Sequence, residues 1–301
     1  MSRNQLQLPG QALSEFLAMH RLPQSFRSTA EKFYLPLAAQ LPSLLPSDRP
    51  LLLGINGAQG TGKSTLAELL DMVSRECFGW RNAILSIDDF YLTHAQRAAL
   101  ADDIHPLLAT RGVPGTHDTA LLTEVLDQLL DLPAGATTEV PRFDKANDDR
   151  DANTSTVEGP LDMIILEGWC VGSRSQDKSA LSEPVNDLER IEDPDGSWRT
   201  FVNSSLASNY EPIFERLDAM FFLKAPSFDA VFRWRLEQEQ KLADASNADA
   251  ASIMNREQVG RFIRYYERLT RRNLQALPSR SDVVLTLDEE HAVVASDWRR
   301  D

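Results

Sequence analysis

The chain is poor in the residues that would mark several common protein classes. It has only two cysteines in 301 residues, Cys77 and Cys170. They do not form a CxxC pair, so a disulfide framework, a zinc site or a dithiol redox centre has no basis, and both read as small buried hydrophobes. No apolar run approaches the ~20 residues of a membrane-spanning helix. The N-terminal MSRNQLQLPGQ lacks the apolar stretch of a secretory signal, and a cytoplasmic location is expected. Positive charge is also short: 31 Lys and Arg stand against 45 Asp and Glu, a formal net charge of −14. Such a surface repels nucleic acid and anionic membranes, so neither is an expected partner. If the ligand is itself an anion, local cations have to overcome that field.

What is present is ordinary globular material, 42% hydrophobic and 25% charged. Short apolar runs at 51–55, 83–87, 162–166, 219–223 and 282–287 read as buried parallel strands. Helical periodicity occupies 11–41, 63–78, 117–131, 198–217, 227–243 and 255–275. Strands alternating with helices imply an α/β fold, a parallel sheet covered on both faces. Its length favours one enlarged domain, with residues 1–45 as a helical N-terminal extension. Residues 142–160 and 173–197 read as irregular, the second as a solvated insertion. The stretch 244–254 reads as a connection between two helices.

Gly57-Ala58-Gln59-Gly60-Thr61-Gly62-Lys63-Ser64 follows a strand, opens a helix and fits GxxxxGK[ST] in full, and Thr65 joins it as a candidate ATP-binding residue. Glycines let successive N–H groups turn inward onto phosphate oxygens, and the new helix adds its positive end. Lys63 supplies a mobile cation to the β- and γ-phosphates, and Ser64 a hydroxyl ligand for Mg²⁺. Neither a guanine-reading NKxD nor an LSGGQ-like segment occurs. A GTPase or a transporter motor is therefore disfavoured relative to a kinase using ATP.

A kinase needs a carboxylate near the acceptor hydroxyl. Asp88 and Asp89 stand at the carboxyl end of the second strand, where open parallel sheets bind ligands. Asp88 is the candidate base and Asp89 the second choice. Glu167 ends the third strand in a Walker-B-like pattern and joins Ser64 as a candidate metal-site residue.

At these residues the chain resembles the metabolite-kinase branch of P-loop proteins, which includes pantothenate kinase, uridine kinase and phosphoribulokinase. Ser86–Tyr91 looks like the uridine-kinase pattern SxDxFY, whose aspartate is the catalytic base. A closer resemblance is to the D-glycerate 3-kinase family, carried by GINGAQGTGKST (54–65), LSIDDFYLT (85–93), RGVPGTHD (111–118), PRFDKANDDR (141–150), LEGWCVG (166–172) and WRLEQEQ (234–240). It implies a P-loop NTPase fold with a five-stranded parallel sheet in the order 2-3-1-4-5 and a helical lid within about 227–275. It also implies transfer from Mg-ATP to D-glycerate, giving 3-phosphoglycerate.

Within that resemblance Arg111 suits a substrate carboxylate, which a guanidinium grips through two hydrogen bonds. Tyr91, His117 and Lys145 join Asp89 and Arg111 as candidate acceptor-side residues. Arg142 and Arg150 share the basic cluster around Lys145, although Asn147-Asp148-Asp149-Arg150 departs from the small-residue-rich GDR ending that relatives carry. Arg235 matches the lid arginine that neutralises charge in the transition state, or else pairs with Glu239 one turn on. Arg280, just before the fifth strand, resembles the adenine-side segment of pantothenate kinase. Tyr265 and Tyr266 read as core. Two other readings stay open: the same chemistry on pantothenate, a nucleoside or a polyol, and a nucleotide-binding regulatory module with little turnover.

Overall fold

Strands that are apolar at every position have to be buried on both faces, and that requirement organises the molecule. The computed structural model describes residues 6, 8, 10–245 and 254–299. Most of the connection expected over 244–254 thus lies outside the described residues. Ten strands are present among the described residues: β1 (Leu51–Gly57), β2 (Asn82–Ser86), β3 (Thr137–Val140), β4 (Phe143–Asp144), β5 (Asp149–Arg150), β6 (Ser155–Glu158), β7 (Met163–Gly168), β8 (Ala219–Lys224), β9 (Val283–Leu287) and β10 (Val293–Trp298). The main sheet runs β10-β9-β8-β1-β7-β2. Neighbours from β2 through β9 pair in parallel, and β10 pairs antiparallel to β9.

The expected five-stranded sheet is therefore six-stranded and mixed. β10 escapes an apolar-run criterion because it is an edge strand, with Val293 buried and Val294 and Trp298 exposed. The inner strands obey a period of two. Leu51, Leu53 and Ile55 of β1 and Met163 and Ile165 of β7 enter one core. Leu52, Ile164 and Leu166 enter the other. The first core is shared by helix Lys63–Phe78 and the N-terminal helices, the second by helices Thr119–Leu130 and Ser197–Ser205.

The helix expected over 11–41 is broken. Gly10–Met19 ends before Arg21, which has φ 51, and Pro23; a second helical run then begins at Ser25. Pro23 has no N–H to continue the ladder. Two irregular expectations also change. Residues 137–158 form a small arm in which β3 pairs with β6 and, at its tip, β4 with β5. The segment 173–197 is docked rather than solvated. Arg268 binds Glu189 at 2.6 Å, and Arg199 binds Asp193 at 2.9 Å with both side chains buried. A charged composition looks solvated in sequence, but paired charges can be buried.

Candidate active site

The strand order brings three chain-distant segments to the carboxyl ends of β1, β7 and β2. After β1 the chain turns through Gly60 (φ 82) and Gly62 (φ 85) into helix Lys63–Phe78. Those left-handed angles favour glycine. At Gly60 the space is short as well, since an added Cβ would lie 3.1 Å from Cβ of Trp234. Thr61 braces the turn by donating its hydroxyl to the Ala58 carbonyl at 2.8 Å.

Beside this loop, Glu167 at the end of β7 is 5% exposed. Its Oε1 accepts the Ser64 hydroxyl at 2.9 Å, and its Oε2 is buried without a hydrogen-bond partner. A buried, unsatisfied carboxylate oxygen next to a hydroxyl fits Mg²⁺, which takes one or two protein groups and completes its shell with phosphates and water. The described residues contain no cluster of three or more His, Cys, Asp or Glu side chains that could hold a metal by themselves.

A cavity of about 310 Å³ opens next to the loop, lined by Gln59, Gly60, Lys63, Asp88, Tyr91, Arg111, Lys145, Trp169, Arg235, Gln238, Phe262 and Tyr266. Four cations and one carboxylate therefore face the same space, and these are the local cations that a chain of net charge −14 needs for an anionic ligand. Asp88 lies in a 3-10 turn, Ile87–Phe90, directly after β2. Its Oδ1 accepts from the Tyr91 hydroxyl at 2.9 Å and its Oδ2 from Lys145 Nζ at 2.7 Å. Burial pushes the Asp88 carboxyl up, but Lys145 and Lys63 together outweigh it and hold the group below its ordinary range.

Two of the other cations are partly engaged. Arg111 pairs with Asp148 and lies over the Phe143 ring at 5.3 Å. Arg235 pairs with Glu239 and lies over Phe262 at 5.6 Å. Arg235 thus makes the i,i+4 pair and also lines the cavity.

No family model matches the chain. A protein of Schizosaccharomyces pombe, named as the uncharacterized kinase mug58, is 37% identical over 234 residues, which is 73% of this chain and 80% of that protein. The chloroplastic D-glycerate 3-kinase of Arabidopsis thaliana is 32% identical over 258 residues, covering 80% of this chain and 53% of the relative, so the chain spans about half of its length. Among solved structures, a D-glycerate 3-kinase from Cryptococcus neoformans superposes with a TM-score of 0.72 at 26% identity, covering 92% of this chain and 100% of that one. The chain belongs to the glycerate-kinase-like family of P-loop kinases. It is an ATP-dependent phosphotransferase with an alcohol group as acceptor.

Within this kinase the cavity gathers Gln59, Gly60, Lys63, Asp88, Tyr91, Arg111, Lys145 and Arg235 from the expected residues. Others lie elsewhere. Asp89 points to the arm, where Oδ2 pairs with Arg142 at 2.7 Å and Oδ1 accepts from the Phe143 amide at 3.3 Å. Arg150 binds Asp118 at 3.2 Å, so of the three arm cations only Lys145 enters the cavity. His117 is buried behind Tyr91, stacked on its ring at 4.4 Å. The Tyr210 hydroxyl accepts from the Gly115 and His117 amides, so its own proton goes to Nδ1 of His117 at 2.8 Å. Burial lowers the His117 pKa to about 4, although Asp88 pulls the other way, and the ring is neutral near pH 7. Arg280 is exposed and outside the cavity lining.

Trp169, Gln238, Phe262 and Tyr266 line the cavity without having been expected there. Trp169 was visible only as part of the LEGWCVG segment. Tyr266 is indeed buried, as its core reading required, but one edge of that core is the cavity wall.

Proposed function

We propose that this kinase transfers the γ-phosphoryl group of ATP to a hydroxyl of D-glycerate, giving 3-phosphoglycerate and ADP. The observation that carries this reading is the charge of the cavity: Lys63, Arg111, Lys145 and Arg235 line it together with the carboxylate Asp88. Such a space suits a polyphosphate together with an acceptor that brings its own carboxylate, which the exposed Lys145 ammonium can meet. The names of the Arabidopsis and Cryptococcus relatives support the same acceptor.

In this reading the loop amides over 57–65 and Lys63 hold the β- and γ-phosphates. Arg235, on helix Phe228–Ala245, faces them from a lid completed by helix Arg256–Ala276. Ser64 and Glu167 would hold Mg²⁺, which supplies charge neutralisation on the phosphate oxygens. Tyr91 aims Asp88, while Arg111 and Lys145 flank the acceptor. Asp88 accepts the proton of the acceptor hydroxyl as its oxygen bonds to the γ-phosphorus, and the bond from that phosphorus to the ADP oxygen breaks. Asp89, His117 and Arg280 have no direct part: Asp89 anchors the arm, and His117 backs Tyr91.

The test is ADP release with Mg-ATP across D-glycerate, L-glycerate, glycerol, pantothenate and uridine, with the product position read by phosphorus NMR. Turnover that depends on D-glycerate, with phosphate on C3, is expected. Equal rates with glycerol or uridine would reject the acceptor.

A further inference from the structure

Both oxygens of Asp88 are occupied, and the two donors differ in kind. Tyr91 is 3% exposed and locked by its stack on His117. The Lys145 side chain is 62% exposed and extends from the β4–β5 turn. The backbone of that turn is pinned. Asp144 Oδ1 accepts from the amides of Ala146 at 2.9 Å and Asn147 at 3.1 Å. Asp148 is held at 3.0 Å by Arg97, which is 1% exposed. Arg142 ties the base of the turn to Asp89. The ammonium of Lys145 is therefore the displaceable donor on a fixed mount. The neighbouring Arg111 is already matched by Asp148.

We propose that Lys145 sets acceptor specificity by exchange: without acceptor it occupies Oδ2 of Asp88, and an acceptor carboxylate draws it away so that the acceptor hydroxyl takes the vacated oxygen. This rests on the reading of Asp88 as base. The swap replaces one ammonium–carboxylate pair by another in the same cavity, so the displacement is nearly balanced. A neutral alcohol, or water, brings no carboxylate and would have to strip the ammonium from Asp88 uncompensated. Once Lys145 has moved, Oδ2 takes the hydroxyl proton, the acceptor oxygen bonds to the γ-phosphorus, and the electron pair of the broken bond stays on ADP. The departure of Lys145 also removes a cation that lowers the basicity of Asp88, so the base strengthens when the acceptor arrives.

The experiment compares the full chain with Lys145→Met, which keeps length and loses charge, and with Lys145→Arg, in Mg-ATP. Three changes are expected in Lys145→Met. Acceptor-free ATP hydrolysis rises. The D-glycerate over glycerol preference in kcat/KM falls about ten- to a hundredfold, as for loss of a charged hydrogen bond. The acid limb of acceptor-free hydrolysis moves to higher pH, because Asp88 loses its nearest cation and titrates later. Lys145→Arg restores the preference. Loss of preference with hydrolysis and acid limb both unchanged would overturn the exchange and leave Lys145 a plain anchor. An enzyme indifferent to D-glycerate would defeat the acceptor reading alone, since hydrolysis and the acid limb still report on the exchange.

Discussion

Replacing Asp88 by Asn tests the chemistry most directly, because the substitution is nearly isosteric and its side effects can be worked out. The Asn side-chain oxygen still accepts the Tyr91 hydroxyl now bound at 2.9 Å. What is lost is the negative charge and the 2.7 Å pair with Lys145. That pair joins a lysine 62% exposed to a carboxylate side chain 30% exposed, so its loss should cost less than ~1 kcal/mol of stability. For a domain of this size that is a melting shift of only about 2–4 °C. A positioned general base contributes about 10²–10⁴ in rate. The prediction is therefore a fall of that size in kcat, with a melting temperature almost unchanged. ATP affinity should be equal or tighter, since a negative charge has left a cavity that receives a polyphosphate. The assay is coupled ADP release at saturating acceptor, with nucleotide titration and thermal melting on the same preparations. A kcat within about threefold of the parent, in a variant that melts normally, would refute the assignment of Asp88 as base.

Two further predictions concern the metal and pH. Glu167→Gln keeps an acceptor for the Ser64 hydroxyl but removes the charge behind the unpartnered Oε2; the Mg²⁺ concentration for half-maximal activity should rise about tenfold or more, and an unchanged midpoint in a Mg²⁺ titration at fixed ATP would remove Glu167 from the metal site. His117 has its pKa lowered from 6.5 to about 4 by burial, so as pH falls the unfolded chain takes up a proton near 6.5 that the folded chain refuses until about 4. Stability should then drop progressively across that window, by up to ~3 kcal/mol. His117→Asn should melt with a shallower slope between pH 7 and 5 than the parent, and parallel slopes would refute a neutral buried ring.

The legible part of this protein was local. Gly57–Thr65 could be read because the cradle is built from consecutive backbone groups, and its two left-handed glycines belong to the motif itself. The inner strands were visible because burial on both faces demands continuous apolar runs, whereas β10 needs burial on one side only. Glu167 could be placed because it ends such a run. The break at Pro23 is local too, but the apolar periodicity continues on both sides of it and masks it.

Sequence alone thus determined the phosphate cradle, the parallel core and the presence of two acids at the strand end, all properties of neighbours along the chain. The SxDxFY resemblance ranked Asp88 above Asp89 as base, but both were expected in the site, and folding separates them. Asp88 and Asp89 are chemically identical and adjacent, yet one meets Tyr91 and Lys145 in the cavity while the other is spent on Arg142. The same holds for Lys145 against Arg142 and Arg150, and for Trp169 and Tyr266, whose packing supplies the wall. Tyr91 is a local partner of Asp88, but Lys145 and Arg142, which separate the two acids, lie more than fifty residues away, and no spacing rule along one segment carries that information.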